Sequence, residues 1–327
     1  MHAITTFLGG VPFAVFLLIV GFVFLIKGAD FFVEGSSAVA KKLRIPSMII
    51  GLTIVAMGTS LPETAVSVSA SMHGNNAMAV SNVVGSNIFN LIVVIGMCAI
   101  FTPVAVARDS LRVDIPMSLG AAILLLALSA GVNSLTLGRA EGCILAICFI
   151  VYIGFMIRSA MKARLMGAPQ QGQQEPAAIM PGWKCILYIV VGVAGIALGG
   201  DWVVKSASTI ASAFGISQNI IGLTIVAVGT SLPELVTSIV AARKKDVDMA
   251  LGNALGSNIY NILMVLGVAS LLSPISLSML DIFDIACLIG VTILVWIMAW
   301  TRRKLDRKEG IIMVATYVLY MVYICLR

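Results

Sequence analysis

Two carboxylates stand inside apolar stretches of this chain. Glu63 closes Ile49-Ile-Gly-Leu-Thr-Ile-Val-Ala-Met-Gly-Thr-Ser-Leu-Pro-Glu63, and Glu234 closes Ile220-Ile-Gly-Leu-Thr-Ile-Val-Ala-Val-Gly-Thr-Ser-Leu-Pro-Glu234. Only Met57 and Val228 differ between the copies. A carboxylate at the centre of a membrane-length segment costs ~2.5–3.5 kcal/mol on insertion scales. Two such costs, placed symmetrically, imply that Glu63 and Glu234 face each other and hold a cation. Ala56, Thr59 and Glu63 are spaced i, i+3, i+7 and so share one helical stripe, with Ser60 at its border. Ala227, Thr230, Glu234 and Ser231 repeat the pattern. A second motif, Gly85-Ser-Asn-Ile-Phe-Asn90, returns as Gly256-Ser-Asn-Ile-Tyr-Asn261. Ser86 and Asn90 share a stripe with Asn82, as Ser257 and Asn261 do with Asn253.

These stripes offer carboxylate, hydroxyl, amide and backbone oxygens. Ca²⁺ takes 6–8 such oxygens, and Na⁺ suits the same donors. Without thiolate or imidazole among them, Zn²⁺ and copper are poor candidates. The prolines add to the set. In a helix, Pro62 cannot donate to the carbonyl of Gly58, and its ring crowds that group. Gly58 is expected to tolerate the distortion. The carbonyls near Ala56–Gly58 then need a partner at membrane depth, which a cation supplies. Pro233 and Gly229 repeat the device. Asn82, Asn253, Asn87 and Asn258 read as packing or supporting groups, and Gly85 and Gly256 as points of close helix approach. Asp30 and Asp201 are also duplicated, but Lys27 and Lys205 lie one turn away, so both read as structural ion pairs.

The elements that position these groups are membrane spans. Of 327 residues, 60% are hydrophobic and 11% charged, against roughly 25% charged in soluble domains. Apolar windows fall at roughly 11–38, 46–72, 76–101, 114–131, 138–161, 183–209, 217–243, 247–272, 281–301 and 310–326. About 20 residues cross a bilayer core, so the expectation is an all-α membrane protein of ten transmembrane helices. Basic residues cluster in alternate loops: Lys41, Lys42 and Arg44; Arg108 and Arg112; Arg158, Lys162, Arg164 and Lys184; Arg243, Lys244 and Lys245; Arg302, Arg303, Lys304, Arg307 and Lys308. The positive-inside tendency makes that side cytoplasmic and puts both termini outside. The net charge of +6 thus reflects orientation in a lipid bilayer, not nucleic-acid binding.

The halves align with a constant offset of 171 and no gap: Gly28 with Gly199, Asp30 with Asp201, Glu63 with Glu234, Asn90 with Asn261. Five spans per half is odd, so the second half enters the membrane upside down. Such inverted-topology repeats are typical of secondary transporters with a midplane site. The expected organisation is a first five-helix repeat over 1–165, a cytoplasmic linker over 166–182 and a second, inverted repeat over 183–327. The six cysteines lie in or beside apolar segments without metal-ligand spacing. His2 and His73 are far apart in predicted loops. The N-terminus lacks a basic n-region and a cleavage site, so the first span is expected to be retained. No nucleophile–base arrangement or phosphate-cradling loop is present, which argues against an enzyme or an ATP-driven pump, and the chain calls for no resident cofactor.

The two motif pairs resemble the alpha repeats of the sodium/calcium exchanger family, within the cation/calcium exchanger superfamily, over nearly the whole chain. The resemblance implies a ten-helix fold with spans 2, 3, 7 and 8 as ion core and spans 1 and 6 sliding across it. It implies Glu63 and Glu234 as central Ca²⁺ ligands that also serve Na⁺. Thr59, Ser60, Thr230 and Ser231 are implied as hydroxyl or carbonyl ligands. The Ala56 and Ala227 carbonyls, Ser86 and Ser257 are implied as sodium-site ligands, and Asn90 as an amide ligand. One position departs: many members carry Asp where this chain has Asn261, leaving two acids in the core. The short linker points to the compact prokaryotic type, in the plasma (inner) membrane. The expected activity is antiport of Na⁺ against Ca²⁺ by alternating access. The alternative is a Ca²⁺/H⁺ or Na⁺/H⁺ antiporter using the same two glutamates, with H⁺ as coupling ion.

Overall fold

In the computed structural model the described residues are 10–74, 76–130, 135–166, 180–216, 221, 224–225 and 227–326. Most of the expected linker, 167–179, and residues 220, 222, 223 and 226 of the second motif copy lie outside the described residues.

The chain is almost wholly helical. Helix α1 runs Val11–Leu43, α2 Ser47–Thr59 and α3 Leu61–Met72. Then come α4 Met78–Phe101, α5 Ser110–Ser129, α6 Arg139–Leu165 and α7 Gly182–Ala213. A single turn, α8 Ala227–Gly229, precedes α9 Leu232–Arg243. The chain finishes with α10 Val247–Leu272, α11 Met279–Arg302 and α12 Arg307–Leu326. Among the described residues seven helices are long and apolar enough to cross a membrane, or eight if α2 and α3, bent by 50° at their junction, form one span. The protein is a helical membrane protein. Its outward surface carries large apolar side chains such as Ile150, Val151 and Leu319, as a lipid solvent allows.

Helices α4 and α10, which carry the second motif pair, form the centre. Their spanning windows are 83% and 78% buried, against 22% for α1 and 28% for α7. Helices α1 and α7 pack along each other on small residues. A Cβ on Gly28 would stand 2.7 Å from the backbone nitrogen of Ile196, and one on Gly192 would stand 2.6 Å from that of Phe32. Neither glycine can carry a side chain without parting the helices, the usual basis of close approach in membranes. Gly256 does the same for α10, where a Cβ would lie 2.7 Å from the Leu52 backbone. Gly85 departs from expectation. A Cβ there would meet nothing within 4 Å, so it mediates no comparable approach.

Two small antiparallel ladders tie loops from the two halves. Strand β1, Val104–Ala105, pairs with β4, Lys304–Leu305, with Val104 opposite Leu305. Strand β2, Thr136–Leu137, pairs with β3, Ile275–Ser276, with Leu137 opposite Ile275. Val104 and Ile275 are themselves equivalent at the offset of 171, while their partners Leu305 and Leu137 are three residues out of that register.

The duplicated aspartates take different partners. Asp201 pairs with Lys205 at 2.8 Å, as its spacing predicts. Asp30 does not pair with Lys27. Its carboxylate lies 2.6 Å from Lys244, beyond the end of α9, and Glu34 is 4.0 Å from the same ammonium. Ser37 adds a hydrogen bond of 3.0 Å to Asp246. The contact latches α1 to the α9–α10 turn. No local spacing rule could find it, because the partners are more than two hundred residues apart.

Candidate cation site

Each glutamate sits in the first turn of a helix that restarts after a break. The break falls at Ser60 (φ −83°, ψ 12°) and at Ser231 (φ −95°, ψ 6°), both in the sparsely populated bridge region. Pro62 and Pro233 occupy the first turns of α3 and α9, where a missing N–H costs nothing. The expected place of distortion, Gly58 and Gly229, is therefore displaced by two residues. Those glycines serve packing. A Cβ on Gly58 would stand 2.6 Å from the ring of Phe32 on α1, and one on Gly229 would collide with Val204 on α7. The Ala56 carbonyl is also less free than expected. It accepts the Ser60 N–H at 3.0 Å and lies 3.3 Å from the Thr59 hydroxyl.

The glutamates are brought together by crossed hydrogen bonds. Ser60 Oγ donates to Glu234 Oε1 at 2.7 Å, and Ser231 Oγ donates to Glu63 Oε1 at 3.1 Å. Ser257 Oγ lies 3.4 Å from the same Glu234 oxygen. Each carboxylate is thus held by the serine preceding the other's proline. Both glutamates are fully buried. Their remaining oxygens, Glu63 Oε2 and Glu234 Oε2, have no hydrogen-bond partner, and neither do Ser86 Oγ, Asn90 Oδ1 and Asn261 Oδ1. Buried polar groups normally find partners. Five of the unpartnered buried oxygens thus fall at motif positions, where an oxygen-coordinated cation would satisfy them.

The asparagines read as packing groups hold this set in place. Thr59 Oγ1 donates to Asn253 Oδ1 at 3.1 Å, and Asn253 Nδ2 donates to Ser238 Oγ at 2.9 Å. In the other half Thr230 Oγ1 donates to Asn82 Oδ1 at 3.3 Å, and Asn82 Nδ2 to Ser67 Oγ at 2.9 Å. Asn87 and Asn258 each donate to the other's backbone carbonyl, at 3.1 and 3.0 Å. Asn90 and Asn261 each open a π-helical turn, Asn90–Val94 and Asn261–Leu266. Such turns often mark functional positions. Duplication of the asparagines was legible, but nothing in their spacing announces a π turn.

Sequence reasoning passed over Thr237. It lies one turn beyond Glu234 on α9, fully buried, with an unpartnered hydroxyl. The i+3 spacing was available as a signal. Its counterpart in the first half is Val66, so an argument from duplication could not reach it. Tyr152 on α6 was also missed. Its hydroxyl donates to the Leu52 carbonyl at 3.0 Å, bracing the π-helical turn Gly51–Val55 of α2. Of Ala227, the structure places the backbone in α8. Among the described residues no cluster of three or more His, Cys, Asp or Glu side chains forms a metal site.

Known proteins share this architecture. The family profile described as "Sodium/calcium exchanger protein" matches residues 13–158 and 184–326. The chain belongs to the sodium/calcium exchanger family. It is 38% identical to the putative antiporter CaxA of Alkalimonas amylolytica over 94% of this chain and 97% of the relative. It is 33% identical to the sodium/calcium exchanger MaX1 of Methanosarcina acetivorans over 94% and 97%. The sodium-calcium exchanger NCX_Mj, solved after soaking with 2.5 mM Na⁺ and 10 mM Sr²⁺, superposes with a TM-score of 0.81 at 30% identity, over 96% of this chain and 99% of that one. These likenesses make the protein a compact, prokaryotic-type cation/calcium antiporter of the membrane, not a member of an enzyme family.

Proposed function

We propose that this exchanger-family member moves Na⁺ against Ca²⁺ across a prokaryotic plasma membrane by alternating access. The observation that carries the reading is the crossed pair Ser60–Glu234 and Ser231–Glu63. It unites the two duplicated carboxylates in one buried site and leaves one oxygen of each unpartnered. Ca²⁺ and Na⁺ compete there for the same oxygens: Glu63, Glu234, Thr59, Thr230, Ser60, Ser231, Ser86, Ser257, Asn90 and Asn261, with the Ala56 and Ala227 carbonyls. Two carboxylates neutralise either one Ca²⁺ or a pair of Na⁺, whereas an empty core keeps two buried charges facing each other. Only a loaded core then crosses between its two access states at an acceptable electrostatic cost.

The reading includes ten spans as two inverted five-helix repeats, 1–165 and 183–327, joined by a cytoplasmic linker, with both termini outside. The paired ladders support it. β1 and β4 lie beside Arg108, Arg302, Arg303 and Lys304, while β2 and β3 lie beside a single basic residue, Arg139. Helices α1 and α7, in contact through Gly28 and Gly192, are the parts that slide. The test is Ca²⁺ uptake by purified protein in liposomes with Na⁺ inside and none outside. Uptake that follows the Na⁺ gradient supports exchange. Absence of Na⁺-driven uptake, or uptake that follows only a pH gradient, ends the reading.

A further inference from the structure

We propose that the cavity between the start of α5 and the end of α11 binds the phosphate group of an anionic phospholipid from the surrounding membrane. The site lies on the outside of the bundle and does not depend on which ions the core exchanges.

The cavity has a volume of about 100 Å³ and is lined by Arg108, Leu111, Arg112, Trp300 and Arg303. Three guanidinium side chains from two distant parts of the chain meet there. Backbone pairing places them. Val104 and Ala105 of β1 lie opposite Leu305 and Lys304 of β4, and the Val106 N–H donates to the Arg303 carbonyl at 2.9 Å. The Trp296 indole N–H donates to the Leu111 carbonyl at 2.8 Å and fixes α11 against the opening of α5. Trp296 also meets Trp300 edge-on, with ring centres 6.2 Å apart, which holds the outer indole as a wall.

The charges there have no answer within the protein. Among the described residues Arg108, Arg112 and Arg303 form no ion pair, whereas the neighbouring Arg302 lies 3.5 Å from Asp306. Asp109, the nearest acid in sequence, is exposed and does not line the cavity. Arg108 and Arg112 are four residues apart at the start of a helix, so they repel each other. They also stand at the helix end whose dipole favours negative charge. An anion relieves both. Orientation in the bilayer accounts for basic residues scattered over this face. It does not account for three of them gathered unpaired around one cavity. Nor does the cavity belong to the duplicated machinery. At the offset of 171, Arg108 and Arg112 correspond to Met279 and Phe283, both exposed apolar side chains.

The surroundings favour a lipid over a free phosphate. Arginine's planar fork matches phosphate oxygens, and basic pockets between membrane helices on the cytoplasmic side suit anionic headgroups. Trp300 belongs to two surfaces. It lines the cavity, and it ends the stripe Ile293, Ile297 and Trp300, spaced i, i+4, i+7 on α11. All three side chains are exposed. An acyl chain can follow that stripe while its phosphate enters the arginines, with the indole at the polar boundary where tryptophan concentrates. A lipid held this way joins α5 to α11.

Binding is measured on the intact, purified protein by native mass spectrometry, with phosphatidylglycerol, phosphatidylcholine or inorganic phosphate added to the detergent solution. The protein is expected to bind phosphatidylglycerol at least about tenfold more tightly than phosphatidylcholine. Arg108→Gln combined with Arg112→Gln should remove that preference. Arg302→Gln, which changes the net charge outside the cavity, should keep it. Equal binding of the two lipids by the unmodified protein overturns the proposal, as does a folded double variant with its preference intact, or an equal loss in Arg302→Gln. Inorganic phosphate that displaces phosphatidylglycerol at about equal concentration assigns the cavity to a free anion and overturns the lipid assignment. Should the double variant not fold, Arg303→Gln puts the same question from the other side of the cavity. None of these readouts involves Na⁺-driven Ca²⁺ uptake, so the exchange reading stands or falls separately.

Discussion

Replacing Glu234 by glutamine should abolish Ca²⁺ binding without unfolding the protein. The carboxylate's Oε1 accepts Ser60 at 2.7 Å and Ser257 at 3.4 Å, and a glutamine carbonyl accepts both in the same place. The amide nitrogen then falls where Oε2 now lies buried without a partner, so no protein hydrogen bond is lost. What changes is charge. Two unit charges ~4 Å apart at an effective dielectric of ~20 interact by about 4 kcal/mol, and a divalent ion at a shorter distance by more. Removing one such attraction weakens Ca²⁺ binding by at least about 1,000-fold. Binding by titration calorimetry in detergent, with thermal unfolding of the ion-free protein alongside, measures both halves. The ion-free variant should unfold at or above the wild-type temperature, since two facing carboxylates no longer share one buried site. An affinity within about tenfold of wild type, in a folded protein, would refute the assignment of Glu234 as an ion ligand.

Other expectations follow from particular contacts. Thr237→Val exchanges an unpartnered buried hydroxyl for a methyl, so the ion-free protein should gain about 1 kcal/mol in unfolding while Ca²⁺ affinity falls; a lower unfolding temperature would show the hydroxyl is satisfied. Asp30→Asn breaks a half-exposed ion pair worth at most ~1 kcal/mol, so exchange rates should change by no more than about fivefold; a loss far beyond that would place Asp30 in the ion path. Gly28→Leu must part α1 from α7, where a Cβ already meets backbone at 2.7 Å. It should abolish exchange, and wild-type flux would contradict that packing. Tyr152→Phe removes one hydrogen bond to Leu52 and should cost about 1 kcal/mol of stability, read from thermal unfolding.

The helices were legible because lipid demands long apolar runs, and most observed ends lie within a few residues of the windows. The expected α1 ended at 38 and the observed helix at Leu43, because Lys41 and Lys42 continue it into the polar boundary. The oxygen set was legible because it occurs twice. What escaped depends on long-range geometry. The helix break sits at Ser60, since Pro62 fits the first turn of the new helix better than it distorts the old one. Asp30 prefers Lys244 to Lys27 because tertiary packing brings a better-placed ammonium. Gly85 and Gly256 share a motif yet only Gly256 is in close contact, so duplication in sequence did not guarantee duplication in packing. Thr237 escaped for the converse reason, having no duplicate.

The paired ladders also set a mechanical condition. With β1 stitched to β4 and β2 stitched to β3, the two halves are sewn together at two separate seams. A carrier in which one half rocked as a block over the other would have to rip a seam open in every turnover. If the proposed exchange keeps that frame shut, the traffic of ions falls to parts that run along it: the glycine-faced pair α1 and α7, like a sash in its grooves.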